Sequence, residues 1–495
     1  MLDPAALGLG DSPWGGAHGK VLSTMLRRMD APLPSRWAHI GLRNALMVRG
    51  PAPHGVHPAD WAAERAWLLL RMGEADGARL LTASVDTDRF TPKMFQVASQ
   101  AALATSDPSG LCPLESGLSK TDKRITPLVN AMCASLSGEA ERAAADIESA
   151  RRRGSIGGID LALADKVVGA GADTARAVTI EWEPVQRLNA WRYGLASATG
   201  AMPPVRLVDA ASPTLRAWMA RSPIYSPLQK VDVARTAAAL GVLSSSAYVD
   251  LYSAVFDATD PDELGETDAW KLRLAYVGRN IDDRLSAMRD LWGAKSGKGN
   301  DRFAAQVLTA RAATLVPPSA KYAADAPDLI ASMLAAGYDQ AAARWIPVLA
   351  DMDDKEADEC WAMLALGAPS ANGLEIDANR IEDFADRDES KDKRRTALLV
   401  AGLAGLGRID GETAGALNGS YRLGLGGTTQ WTRMIDGAAA RRQAGTAMIF
   451  AASGLQGSSI GDVRGLYQFH GITALKRVGL DFLARMVAAE ALARA

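Results

Sequence analysis

The sequence predicts an all-α chain, a right-handed superhelix (α-solenoid) of degenerate antiparallel helix hairpins. Three observations carry that prediction. Apolar residues recur at helical spacing, one glycine hinge motif returns along the chain, and no period-2 alternation of strand length occurs. The stretch from Asp60 to Val85 shows the unit. Trp61, Leu68, Leu69 and Met72 fall on one face, with Arg65 intruding and Trp67 and Leu70 behind, so the helix is expected to be covered on more than one side, with Trp61 and Trp67 filling gaps between helices. Gly73 then takes the left-handed conformation that ends a helix at little cost. Ala75, Ala78, Leu81 and Val85 form a second, small-residue stripe suited to close packing.

The hinge returns at Gly138, Gly171, Gly241, Gly337, Gly407 and Gly479, at successive gaps of 65, 33, 70, 96, 70 and 72 residues. Each gap is near one, two or three times a unit of about 34 residues, the length of a helix-hairpin repeat. From about residue 59 onward this resembles the tetratricopeptide-like superfamily, although that family's fuller Trp-Leu-Gly-Tyr-Ala-Phe-Pro spacing is nowhere intact. The resemblance implies a superhelix that binds another protein or peptide on its surface.

At 495 residues the chain is longer than one core supports. An irregular cap over 1–58 and two helical lobes, 59–293 and 301–495, are expected. A net charge of -2 gives no general attraction to nucleic acid. The longest apolar run, Thr396 to Leu406, is too short to span a bilayer. Met1-Leu-Asp-Pro reads as a mature start with an added Met, so the signal segment is expected to be missing from this sequence, and the chain is similar to a family of exported bacterial helical proteins. That likeness implies the periplasm and an envelope assembly, with the cytoplasm as the alternative. Cys112 and Cys133 flank a polar loop and could close a disulfide; two unrelated thiols are the other reading. Cys360 reads as a buried helical thiol.

In chain order, helices are expected at Gly19–Arg28 and Pro34–Arg49, then the Asp60–Val85 hairpin. Thr91 caps the next helix, with Pro92 at its first position, and it ends near Ser106. A hairpin around Gly138 ends on Arg151, Arg152 and Arg153, cations that suit a helix C-terminus. Helices follow at Gly158–Val168, Thr174–Glu181, Glu183–Ala198, Ser212–Arg221 and around Gly241, then at Asp268–Gly278 and Asp282–Trp292. Gly293 to Asn300 reads as a linker. Its Gly297-Lys298 lacks the spacing, the hydroxyl residue and the preceding strand of a phosphate loop. Helices at Asp301–Val316, Asp325–Ala336 and Asp339–Met352 come next. The acidic runs Asp351–Glu356 and Ile381–Ser390 read as solvated helix starts rather than calcium loops. Gly424 to Trp431 reads as an inter-helix loop, and the chain closes on a hairpin around Gly479.

Chemistry is sparse in this pattern. His54 and His57 could share a metal but no further ligand stands nearby in sequence. Ser453-Gly-Leu-Gln-Gly457 resembles the Gly-Leu-Met-Gln segment of lytic transglycosylases, which would imply a cell-wall glycan enzyme or its helper domain. That family's acid is a Glu followed by Ser a short way upstream, and the nearest such pair, Glu389-Ser390, is over sixty residues away. His470 reads as a packed or capping residue. The expectation is a non-enzymatic interaction scaffold with no catalytic residue, cofactor or metal.

Overall fold

The computed structural model describes residues 1–154, 156–171, 178–293 and 299–495. Among the described residues the fold is all-α: α- and 3-10 helices from Gly19 to Ala493, with one isolated bridge between Leu2 and Val48 in place of any sheet. The hinges set its rhythm. Gly73, Gly138, Gly241, Gly337, Gly407 and Gly479 all have φ between +58° and +97° and each separates two helices. After each, the N–H one residue past the glycine returns to the carbonyl five residues earlier (Glu74 to Leu69, Glu139 to Ala134, Val242 to Ala237, Tyr338 to Met333, Arg408 to Leu403, Leu480 to Leu475), at 2.8–2.9 Å. That bond satisfies one of the carbonyls a helix end leaves open. Gly171 ends the helix Gly158–Gly171; residues 172–177 of its expected hairpin, and with them half of the expected Thr174–Glu181 helix, lie outside the described residues, while the other half, 178–181, is not helical. The linker and phosphate-loop positions 294–298 lie outside them too.

Two expected helices are broken, each for a visible reason. Over Glu183–Ala198 only Ala190–Ala198 is helical, because Asn189 caps it by accepting from the Arg192 N–H at 2.9 Å. Arg206 meanwhile takes the Val185 and Glu183 carbonyls that a longer helix would need. Over Asp339–Met352 the α-helix stops at Ala343 and a 3-10 helix runs from Ile346 to Asp351. Pro347 has no N–H for the Ala343 carbonyl and its ring clashes there. The acidic run Ile381–Ser390 is likewise not a helix start: it is the body and end of the helix Ala378–Arg387. Trp67 is another correction, being 36% exposed while Trp61 and Trp345 are buried.

Chain contacts divide the protein into two compact units. The first takes in Met1, His18–Arg27 and Pro51–Ser226, the second Leu2–Ala17, Arg28–Gly50 and Pro227–Ala495. The expected boundary at 293–301 therefore falls inside the second unit, and the expected cap 1–58 is shared between both. In the first unit, helices stack close to chain order: Pro58–Met72 with Ala75–Ala83 and Pro92–Ala104, and Thr126–Leu136 with Ala140–Arg153 and Gly158–Gly171. Leu103, Leu128, Met132, Leu163, Val167 and Leu195 build their common core. Gly194 lets Ala190–Ala198 approach Pro92–Ala104, since a Cβ there would stand 2.4 Å from the Leu103 carbonyl oxygen.

The second unit closes on itself. Helix Asp481–Ala493, buried continuously from Ala484 to Leu492, packs against Arg36–Met47, Ala326–Ala335, Asp354–Gly367, Arg394–Gly405 and Gly465–Arg477. Its Glu490 carboxylate, 1% exposed, accepts from the Ser35 hydroxyl (2.6 Å) and the Arg36 and Trp37 N–H groups (2.8 and 3.1 Å), so it caps a helix 455 residues away. Arg36 in turn donates to the Ala238, Leu243 and Ala335 carbonyls, at or just beyond the C-terminal ends of two further helices. Burial brings its pKa down to about 10, with Glu490 opposing, so it stays charged. Arg485 does similar work between Asp339 and the Gly367 carbonyl.

Candidate functional site

In the second unit, the helices Ser245–Ala258 and Asp268–Val277 lie side by side and leave a cleft of about 300 Å³ between them. Helical spacing builds it. Val249, Tyr252 and Phe256 project from one wall at intervals of three and four, and Leu272, Arg273 and Tyr276 from the other. Val277, at the rim, is 62% exposed. Trp270 stacks on Phe256 with centroids 6.2 Å apart and 15° between planes, and the Arg273 guanidinium stands 5.0 Å over the same ring. Tyr252 is shared with a smaller polar cavity holding Tyr248, Arg235 and Asp268. The two tyrosine rings meet edge to face at 5.3 Å. Arg235 pairs with Asp232 at 2.8 Å and Asp268 at 3.6 Å.

Burial pushes the Tyr276 hydroxyl up to about 12, with Tyr338 adding to it, and burial likewise raises Tyr252 and Tyr248. All three therefore remain neutral hydrogen-bonding hydroxyls near pH 7. Arg273 and Asp257, one on each wall, line the cleft without an ion pair among the described residues. An apolar slot with a few convergent polar groups is the usual form of a ligand or side-chain pocket. Sequence reading missed it, although Tyr248, Tyr252 and Phe256 at i, i+4, i+8 were a signal: an aromatic stripe on one face of an already expected helix.

The residues singled out in the sequence lie elsewhere. Cys112 and Cys133 are joined by a disulfide in the first unit, between the 3-10 helix Pro108–Leu114 and the helix Thr126–Leu136. The His54 ring lies edge-on to His18 at 4.7 Å, while His57 Nδ1 accepts the Ala59 N–H at 3.3 Å and caps a helix. Arg151 bonds Glu148 and Asp165, and Arg153 bonds Ser149. In the Gly424–Trp431 loop, Leu425 is held at both ends: its N–H by Asn418 at 2.9 Å, its carbonyl by His470 Nε2 at 3.1 Å. His470 Nδ1 meets Asp436 at 2.8 Å, so both ring nitrogens are engaged and neither is free to act as a base. Ser453 accepts from Trp431 Nε1, and Gln456 donates to the Asp30 carbonyl. Cys360 is fully buried, with its thiol pushed up by desolvation. No helix among the described residues is long and apolar enough to cross a membrane. No protein-family model, curated protein or solved structure matches the chain.

Proposed function

We propose that the protein is a non-enzymatic interaction scaffold of the bacterial cell envelope, which takes a short peptide segment of a partner protein into the cleft between Ser245–Ala258 and Asp268–Val277. The observation that carries the reading is Arg273 and Asp257 on opposite walls of an aromatic slot, neither in an ion pair among the described residues. A peptide supplies both an apolar side chain for the slot and polar groups of either sign for its walls. The stacked hairpins of the first unit support the finer expectation of a helical-repeat superhelix, which we propose for that unit. The disulfide between Cys112 and Cys133 supports an oxidising compartment, and we propose the periplasm.

The test is a crosslinked affinity capture compared between wild type and the Arg273→Glu, Tyr276→Ala variant, with helical circular dichroism as the control for folding. Losing an aromatic and an arginine anchor costs about 2 kcal/mol or more, some thirtyfold in retention of a bound partner. An identical set of captured proteins from the variant overturns the cleft as the docking site. Release of soluble fragments from peptidoglycan by the purified protein, abolished by Gln456→Ala, overturns the scaffold in favour of the glycan enzyme.

A further inference from the structure

The disulfide in the first unit has a third partner. Glu115 opens the helix Glu115–Thr121 directly after the 3-10 helix that carries Cys112, three residues on, so the two side chains share a face. Cys133 approaches from the helix Thr126–Leu136, and the two sulfurs and a Glu115 oxygen all lie within 4.8 Å of one another. Among the described residues the Glu115 carboxylate makes no hydrogen bond and no ion pair within 4 Å. Arg142, on the helix Ala140–Arg153, is engaged with Glu139 at 3.0 Å and Asp146 at 3.8 Å. A carboxylate left uncommitted beside two sulfurs suits a divalent cation once those sulfurs are thiolates.

We infer that Cys112, Cys133 and Glu115 form a zinc site when the disulfide is reduced, so that this corner of the protein alternates between a covalent crosslink and a bound divalent ion. The exchange balances with an external dithiol as reductant. The dithiol gives two electrons and two protons to the Cys112–Cys133 bond and leaves as its own cyclic disulfide. Zn²⁺ then displaces the two thiol protons and binds two thiolates and one carboxylate, with a water completing a tetrahedron. Thiolates on one zinc sit about 3.8 Å apart, given Zn–S bonds near 2.3 Å. The two cysteine Cα atoms stand 5.5 Å apart. In both states Thr126–Leu136 stays tied to Pro108–Leu114, by a bond that oxidation makes and by an ion that reduction admits.

The experiment uses the full-length protein, Zn²⁺ alone as probe, and competition with a chromogenic zinc indicator, before and after reduction with a phosphine. One equivalent of zinc per chain bound by the reduced protein and none by the oxidised protein is the expected result. Glu115→Gln should weaken binding at least about tenfold, since losing a direct ligand costs no less than losing its outer support. Cys360→Ser should change nothing. The inference is overturned if the reduced chain binds no zinc, if Glu115→Gln binds as tightly as wild type, or if the oxidised chain binds equally. Loss of the helical circular dichroism signal on reduction overturns it as well, because the site needs a folded reduced chain.

Discussion

Asp388 shows how much a single side chain can settle. Burial alone would raise its pKa, but hydrogen bonds from Ser390 N–H (2.9 Å) and from the Thr396 N–H and hydroxyl (2.9 and 2.7 Å) outweigh that and hold the carboxyl below the usual carboxylate range. A depressed native pKa means that the stabilisation is complete above the unfolded value near about 4 and fades as pH falls through the native one. Asp388→Asn should therefore destabilise at neutral pH and make the chain's stability fall less steeply in acid, which denaturant midpoints measured across the acid range will show. The cysteines permit a second test. Cys112→Ser with Cys133→Ser should cost about 3 kcal/mol by the chain-entropy estimate for a loop of this size, and reductant should have no further effect on the double variant. At this scale the sequence was half legible. Two cysteines 21 residues apart with a polar loop between them are visible on inspection, whereas Glu115 beside them and Arg36 among three carbonyls depend on which helix lies opposite, which residue type does not encode.

Helix ends were the most legible element, because each hinge glycine announces the left-handed residue that stops a helix. Two glycines separate the causes of that requirement. A Cβ at Gly479, φ +91°, would meet nothing within 4 Å, so Gly479→Ala should cost only the backbone strain, about 1–2 kcal/mol. At Gly337, φ +82°, a Cβ would stand 3.0 Å from both the Phe482 and Trp37 rings, so Gly337→Ala should cost more than Gly479→Ala in the same denaturant titration. The same turn occurs without glycine at Arg442, φ +53°, where the Gln443 N–H returns to the Ala438 carbonyl at 3.0 Å. Arg442→Gly should stabilise by about 0.5–1 kcal/mol, since glycine reaches φ > 0 without strain. That hinge escaped sequence reading because the residue at the left-handed position gave no sign of it, whereas at Ser106, φ +57°, the Asp107-Pro108 pair that follows marked the helix end. The overextended helices failed for the opposite reason: periodicity ran on where Arg206 takes the Val185 and Glu183 carbonyls in one case and where Pro347 breaks the backbone ladder in the other.

For the whole molecule, the second unit is the informative case. It is assembled from 2–17, 28–50 and 227–495, and Glu490 would be left buried without three of its donors if the 28–50 segment were absent. An isolated 227–495 fragment should therefore aggregate or unfold, and adding a 28–50 peptide should recover helical signal and a cooperative melt. Arg494 would still pair with Glu490, but each lost hydrogen bond to a buried charged group costs about 1.5–3 kcal/mol, so the three together are a large share of a domain's margin. None of this was legible along the chain, since periodicity reports which face of a helix is covered and never by what. The cap over helix Arg36–Met47 has a further consequence, for biosynthesis. A ribosome adding about 5–20 residues per second needs roughly 20–90 s to travel from Ser35 to Glu490. Through that interval the Arg36 and Trp37 N–H groups lack their carboxylate, the Ser35 hydroxyl accepts only from the Ala38 N–H, and the apolar face of the helix is open to any chaperone that meets it. The tie between the two ends of the chain thus delays completion of the second unit until synthesis is nearly finished.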